Sequence, residues 1–189
     1  MRGRLRKKII AGFEAELRAG FPQFLACNLG GRYPSWSLKL ATNLYLFIGL
    51  QFFSGKDQFV VNLAWSENGE EPWAWLGRAE VEQMEGCQRL GVLWNRARGE
   101  RHEYVWDLAP EKTAADEAHR ESLLSDEIVP YPEDPPIELL LPRIEPLVHD
   151  AIEKLEQYGI PLFRRVAEAH GVKWPEGIPA GGDPSKGGQ

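Results

Sequence analysis

The chain has 189 residues, 43% of them hydrophobic and 26% charged, which is enough apolar material to bury a substantial core and argues against wholesale disorder. Its 28 acids outnumber its 22 bases for a formal net charge of −6, so a general attraction to nucleic acid or to an anionic membrane surface is disfavoured. No stretch approaches the roughly 20 apolar residues of a membrane span, since even residues 44–53 are interrupted by Gly49 and Gln51.

Leu5, Ile9, Ile10, Phe13 and Leu17 recur at helical spacing, so residues 3–19 read as an amphipathic helix that ends at Gly20. Arg2, Arg4, Arg6, Lys7 and Lys8 crowd its start, where the helix dipole favours negative charge. After this basic start no uninterrupted apolar stretch follows, because Glu14 and Glu16 come soon after Ile9 and Ile10, so no secretion signal is read. Cys27 and Cys87 are far apart and form no CxxC. Reduced thiols in a cytoplasm fit, and neither a disulfide framework nor a zinc ribbon does.

Residues 36–65 are the richest in aromatic and β-branched side chains and predict three strands. Trp36, Leu38 and Leu40 alternate with polar neighbours, and residues 44–53 are apolar on both faces. After the turn Ser54-Gly55-Lys56-Asp57, the residues Phe59, Val61, Leu63 and Trp65 line one face of the next strand. Residues 44–65 therefore form an antiparallel hairpin. A polar loop at 67–72 leads to Trp73 and Trp75, then a short helix at 79–85, and two further strands are predicted at 89–94 and 103–108.

Residues 111–138 hold nine acids against Lys112 and Arg120, with prolines at 130, 132, 135 and 136, so only 113–124 is predicted helical and the rest is a surface connector. The acidic connector and the basic N-terminus are able to attract each other or different partners. Ile144, Leu147, Val148, Ala151, Ile152 and Leu155 follow helical spacing up to Gly159, taken as the stop, and Pro161 opens a second helix. Residues 175–189, rich in Gly and Pro, have almost nothing to bury and read as a disordered tail. The expected architecture is one α+β domain over residues 1–174: an N-terminal helix, an antiparallel sheet of about five strands with the hairpin at 44–65, and a C-terminal helical pair packed on the sheet.

Chemical motifs are sparse. No glycine-rich strand-to-helix turn suits a phosphate. Glu145, His149 and Glu153 share one helix face but read as a solvated stripe, so no metal or other cofactor is expected. Cys87, with His102 and Glu103 on a neighbouring predicted strand, is the one nucleophile candidate, set against the commoner fate of a free cysteine as a small buried hydrophobe. The acid pairs Glu70-Glu71, Asp116-Glu117 and Asp126-Glu127 fall in hydrophilic segments and read as hydrated surface charge. Seven tryptophans are too many for one small core, so some are expected at the surface, with Trp73 and Trp75 the best interface candidates.

The block 44–65, the run Cys87-Gln88-Arg89-Leu90-Gly91 and the later Tyr104-Val105-Trp106-Asp107 together resemble the DUF4304 family, as does the helix end Gly20-Phe21. Ile160-Pro161-Leu162-Phe163 is similar to that family's closing segment, whereas only one tryptophan stands where a pair would be expected near Val105-Trp106. The resemblance implies an α+β fold and a bacterial origin but no reaction, and its kin suggest an immunity-type role. Two readings follow. One is a non-enzymatic binding module that engages a protein partner through an acidic and aromatic surface, with Trp73, Trp75, Cys87 and Arg89 as binding residues. The other is an enzyme or small-ligand protein whose pocket lies between the sheet and the C-terminal helices, near Cys87, Arg89 and His102.

Overall fold

A computed structural model describes residues 1–30, 33–71, 86–124 and 129–179. Helix α1 (Gly3–Gly20) buries Leu5, Ile9, Phe13 and Leu17, the apolar stripe that the sequence spacing predicts. Four strands follow: β1 (Leu25–Asn28), β2 (Ser35–Ala41), β3 (Leu44–Phe52) and β4 (Gln58–Ser66). They pair antiparallel in the order β1-β2-β3-β4. The hairpin is in place, with Phe52 opposite Phe59 and Tyr45 opposite Ser66, and its turn uses Gly55 at a φ of 72°, a left-handed conformation that suits glycine.

The far side of β4 is where the fold departs from expectation. The predicted strand at 89–94 is instead a three-residue strand β5 (Cys87–Arg89) followed at once by helix α2 (Leu90–Ala97). A short apolar run such as Leu90 to Trp94 satisfies both periods, and here Leu90 at 0% exposure turns into the core as a helical residue. The strand predicted at 103–108 shrinks to β6 (Trp106–Asp107). It does not pair with the preceding strand. β5 lies along one half of β4, at Asn62 to Ala64, and β6 along the other, at Gln58 and Phe59. The sheet thus has five positions and six strands, the last position being shared. β1, for which the sequence pattern predicts no strand, extends the opposite edge.

Helix α3 (Pro110–Ser122) begins three residues earlier than predicted. Its start is fixed by Asp107, whose carboxylate accepts from the Ala109 N–H at 2.8 Å and the Thr113 hydroxyl at 2.6 Å, and Pro110 occupies a first-turn position where no N–H is needed. A short helix α4 (Ile137–Leu140) and a 3-10 turn lead into α5 (Ile144–Lys154). Gly159 does not end it. The chain passes through a π-helical turn (Leu155–Gly159) straight into α6 (Ile160–Ala169). A Cβ on Gly159 would stand 2.7 Å from the Leu155 side chain and 3.2 Å from that of Leu63, so this glycine lets the helix approach β4 closely rather than stopping it.

One face of the sheet carries Trp36, Leu38, Leu46, Ile48, Leu50, Phe59, Val61 and Leu63 into a single hydrophobic cluster with α1, α5 and α6, and α1 packs directly along α5. The architecture is α+β, with an N-terminal helix, an antiparallel open sheet and C-terminal helices. β4, expected to bury one face, buries both: Val60, Asn62 and Ala64 are as enclosed as Val61 and Leu63. The supposed tail also contributes to the core, because Ile178 is 5% exposed within the main cluster. The rest of that segment, from 180 onward, and the predicted helix at 79–85 lie outside the described residues.

Candidate functional site

Strand register brings Cys87 and Arg89 to the second face of the sheet. Ser35, Gly49, Asn62 and Arg89 stand opposite one another across four strands, so their side-chain positions form one row. Phe47, Ala64 and Cys87 form the next and pack together, with Tyr33 and Tyr45 against them. Arg89 is only 4% exposed; its Nη1 donates to Glu103 at 2.6 Å, as a buried guanidinium must if its desolvation is to be offset. The Asn62 amide donates to Gln51 Oε1 at 3.3 Å. Burial pushes the Cys87 thiol up to about 11, so it stays protonated at neutral pH and lacks the thiolate that a nucleophile needs.

His102 does not complete a Cys-His arrangement. It sits in the exposed loop after α2, where its backbone carbonyl accepts from the Asn95 side chain, and no hydrogen bond joins it to Cys87 among the described residues. Cys27, on the opposite edge strand, is raised by burial and shares Glu71 with Ser35: the thiol donates at 3.1 Å and the hydroxyl at 2.6 Å. Glu71 is therefore a structural acceptor rather than a hydrated surface charge. Both cysteines are free, and four strand spacings, roughly 19 Å, separate the strands that carry them, far beyond disulfide reach.

A pocket was expected between the sheet and the C-terminal helices, and the described core side chains there are buried. Trp106 is fully buried there, stacked on Phe59 at 5.5 Å, and its Nε1 donates to Asp150 of α5 at 2.8 Å. Asp150 also pairs with Lys154. The Lys154 ammonium lies 4.3 Å from the Trp94 ring centre and 5.1 Å from that of Tyr104, a cation–π clamp that makes up for water lost on burial. Burial, then the Asp150 charge, raise the Tyr104 phenol above its ordinary range. Trp73 and Trp75 lie outside the described residues. Of the other five tryptophans, Trp36 and Trp106 are buried and Trp65, Trp94 and Trp174 are half-buried.

His149, read as part of a solvated stripe, bridges two helices: its Nδ1 is 3.0 Å from Glu16 of α1 and its Nε2 is 3.7 Å from Glu153. The hydrogen bond to Glu16, and then that carboxylate's charge, raise the imidazole above its usual value. No cluster of three metal-ligating side chains occurs among the described residues, and no helix among them is long and apolar enough to cross a membrane.

Among the described residues the large exposed hydrophobics are Leu25, Leu123, Leu124, Tyr131 and Leu139, four of them within 123–139. The chain after α3 folds back along it: the Val129 N–H donates to Ser122 Oγ at 2.9 Å, His119 Nδ1 meets the Val129 carbonyl at 2.6 Å, and the Tyr131 ring stands edge-on to His119 at 5.3 Å. Lys112 lies over the Tyr131 ring at 5.4 Å while bridging Asp116 and Asp134. Asp116 is buried, not hydrated as its sequence setting suggested. Leu123, four residues after His119, shares that side of the helix, and Leu124 next to it is 92% exposed.

Charge surrounds this apolar tip unevenly. Arg4 reaches Glu138 at 3.0 Å, Arg2 donates to the Pro135 carbonyl at 2.6 Å, and Arg143 holds Glu111 at 2.9 Å. The basic N-terminus thus partners part of the acidic connector, one of the two outcomes the charge pattern allowed. Glu117, Glu121 and Glu133 are exposed and have no ion-pair partner among the described residues. The acids stand out in the sequence but Leu123, Leu124 and Tyr131 do not, because nothing in their sequence setting signals that the backbone holds them in water.

The chain matches no protein-family model, no curated protein and no solved structure.

Proposed function

We propose that this protein is a non-enzymatic binding module that engages a basic protein partner through the connector surface around Leu123, Leu124 and Tyr131. The observation that carries the reading is the concentration of exposed apolar side chains beside Glu117, Glu121 and Glu133. Apolar side chains exposed together mark interaction surfaces, and a rim of carboxylates with no ion-pair partner among the described residues favours a cationic partner and speeds its approach. Trp73 and Trp75, on a separate segment, would add aromatic anchors to the same binding role. The sealed state of Cys87 and the ion-paired state of Arg89 support scaffold duty for both rather than contact with a partner.

The resemblance to DUF4304 on Gly20-Phe21, Cys87-x-Arg89 and Tyr104 to Asp107 supports placing the module in a bacterial cytoplasm with an immunity-like task. A test uses affinity capture from the source cell with the wild-type chain and with the double variant Leu124→Glu/Tyr131→Ser. The reading expects a basic partner retained by the wild type, released by about 0.3–0.5 M salt and missing from the variant. Equal capture by both chains contradicts it.

A further inference from the structure

We infer that the concavity at the end of α2, lined by Val92, Arg96, Gly99, Glu100, Arg101 and His102 and about 340 Å³ in volume, is a binding site for a small phosphate-bearing molecule. This inference is independent of the connector surface. Arg96 comes from the last turn of α2, and Arg101 and His102 come from the loop that returns beside it. Gly99, at a φ of 75°, reverses the chain. The return is then fixed by hydrogen bonds from the N–H groups of Gly99 and Glu100 to the carbonyls of Arg96 and Asn95, at 3.1 and 2.9 Å, and by the buried Asn95 side chain donating to the His102 carbonyl. Donors from two elements thus face one cavity on a backbone that is already ordered, which lowers the entropic cost of binding.

Charge pairing then decides what the cavity takes. Among the described residues Arg2, Arg4, Arg18, Arg89, Arg98, Arg143 and Arg164 each hold a carboxylate. The one carboxylate lining this cavity, Glu100, is committed as well, to Arg98 at 3.0 Å, and Arg98 leans on the Trp94 ring at 4.8 Å. Arg96 and Arg101 have no carboxylate partner among the described residues. Two unpaired guanidiniums and an imidazole around one concavity, in a chain of net charge −6, select an anion. Guanidinium forks match the oxygens of a phosphoryl group bidentately, and the volume admits that group together with a small organic body.

The experiment is a titration of the full chain, followed by amide NMR at constant ionic strength, with inorganic phosphate, phenyl phosphate and potassium chloride in parallel. The expected result is saturable shifts confined to residues 92–102 with both phosphates, tighter for phenyl phosphate, and none with chloride. Arg96→Gln and Arg101→Gln should each weaken binding about tenfold, the loss of one charged hydrogen-bonding partner, with an unchanged melting temperature. Arg96→Lys keeps the charge but loses the fork and should fall between. Shifts that chloride reproduces, that spread over the whole chain, or that survive the Arg96→Gln/Arg101→Gln double variant would overturn the assignment. So would a single-stranded oligonucleotide that binds the same residues more tightly than either phosphate.

Discussion

The sheet's second face and the acidic connector reverse the roles that their residue types suggest. The first gathers the reactive-looking groups, Cys87, Arg89 and Asn62, and buries all three below 5% exposure. The second is built of leucines, a tyrosine and carboxylates, and it is the part that meets solvent. Reactivity in a protein is a property of environment before it is a property of residue type: a thiol at about 11 and an ion-paired guanidinium are inert, whereas Leu124 stands 92% exposed to solvent.

Mutation separates the two regions most sharply through stability. Trp106→Ala removes a fully buried ring, its stacking on Phe59 and the donor to Asp150, and should cost about 3–5 kcal/mol, read as a fall in melting temperature of roughly 10 °C. Tyr131→Ala, at 67% exposure, should stay within about 0.5 kcal/mol. Equal losses from the two would erase the contrast. Gly91→Ala comes next. A Cβ there would lie 2.1 Å from the Tyr104 carbonyl oxygen, and since backbone rather than a rotatable side chain must yield, about 1–3 kcal/mol is expected in denaturant unfolding.

Thiol chemistry sharpens the same comparison without altering stability. With a slow aromatic disulfide reagent at pH 8, the native chain should release about one equivalent, from the exposed Cys27, and a second only on unfolding. Fast release of two would show that Cys87 is accessible. The smallest effect concerns the His149 bridge from α5 to α1. Its pKa is raised in the folded state, so its stabilisation is fully present below the ordinary histidine pKa of about 6.5 and is lost as pH rises through the folded value. His149→Gln should therefore lower the melting temperature at pH 5.5 and leave it unchanged at pH 8.5.

What the sequence disclosed follows from how locally each element is specified. The helix at 3–19 and the hairpin at 44–65 carry their own period and turn, and both stand where the pattern puts them. β5 and β6 are three and two residues long, too short for any period. They are strands because β4 offers an edge, and α2 packs with Gly91 close to the Tyr104 carbonyl, a contact more than ten residues away in sequence. Gly159 was legible as a special position but not as a site of close packing, since Leu63 is nearly a hundred residues away in sequence. The same holds for function: Arg96, Gly99 and Arg101 lie between the two predicted strands at 89–94 and 103–108, and only the fold shows two arginines sharing a cavity while Glu100 faces Arg98.

The most direct test of the connector as the working surface is a photo-crosslinking amino acid placed at position 124, 131 or 25 in the source cell. Leu25 is equally apolar and 68% exposed, but it lies on the sheet edge. A discrete crosslinked species from positions 124 and 131, absent from 25, is the predicted result. No adduct at 124 and 131, or the same adduct from all three positions, contradicts it.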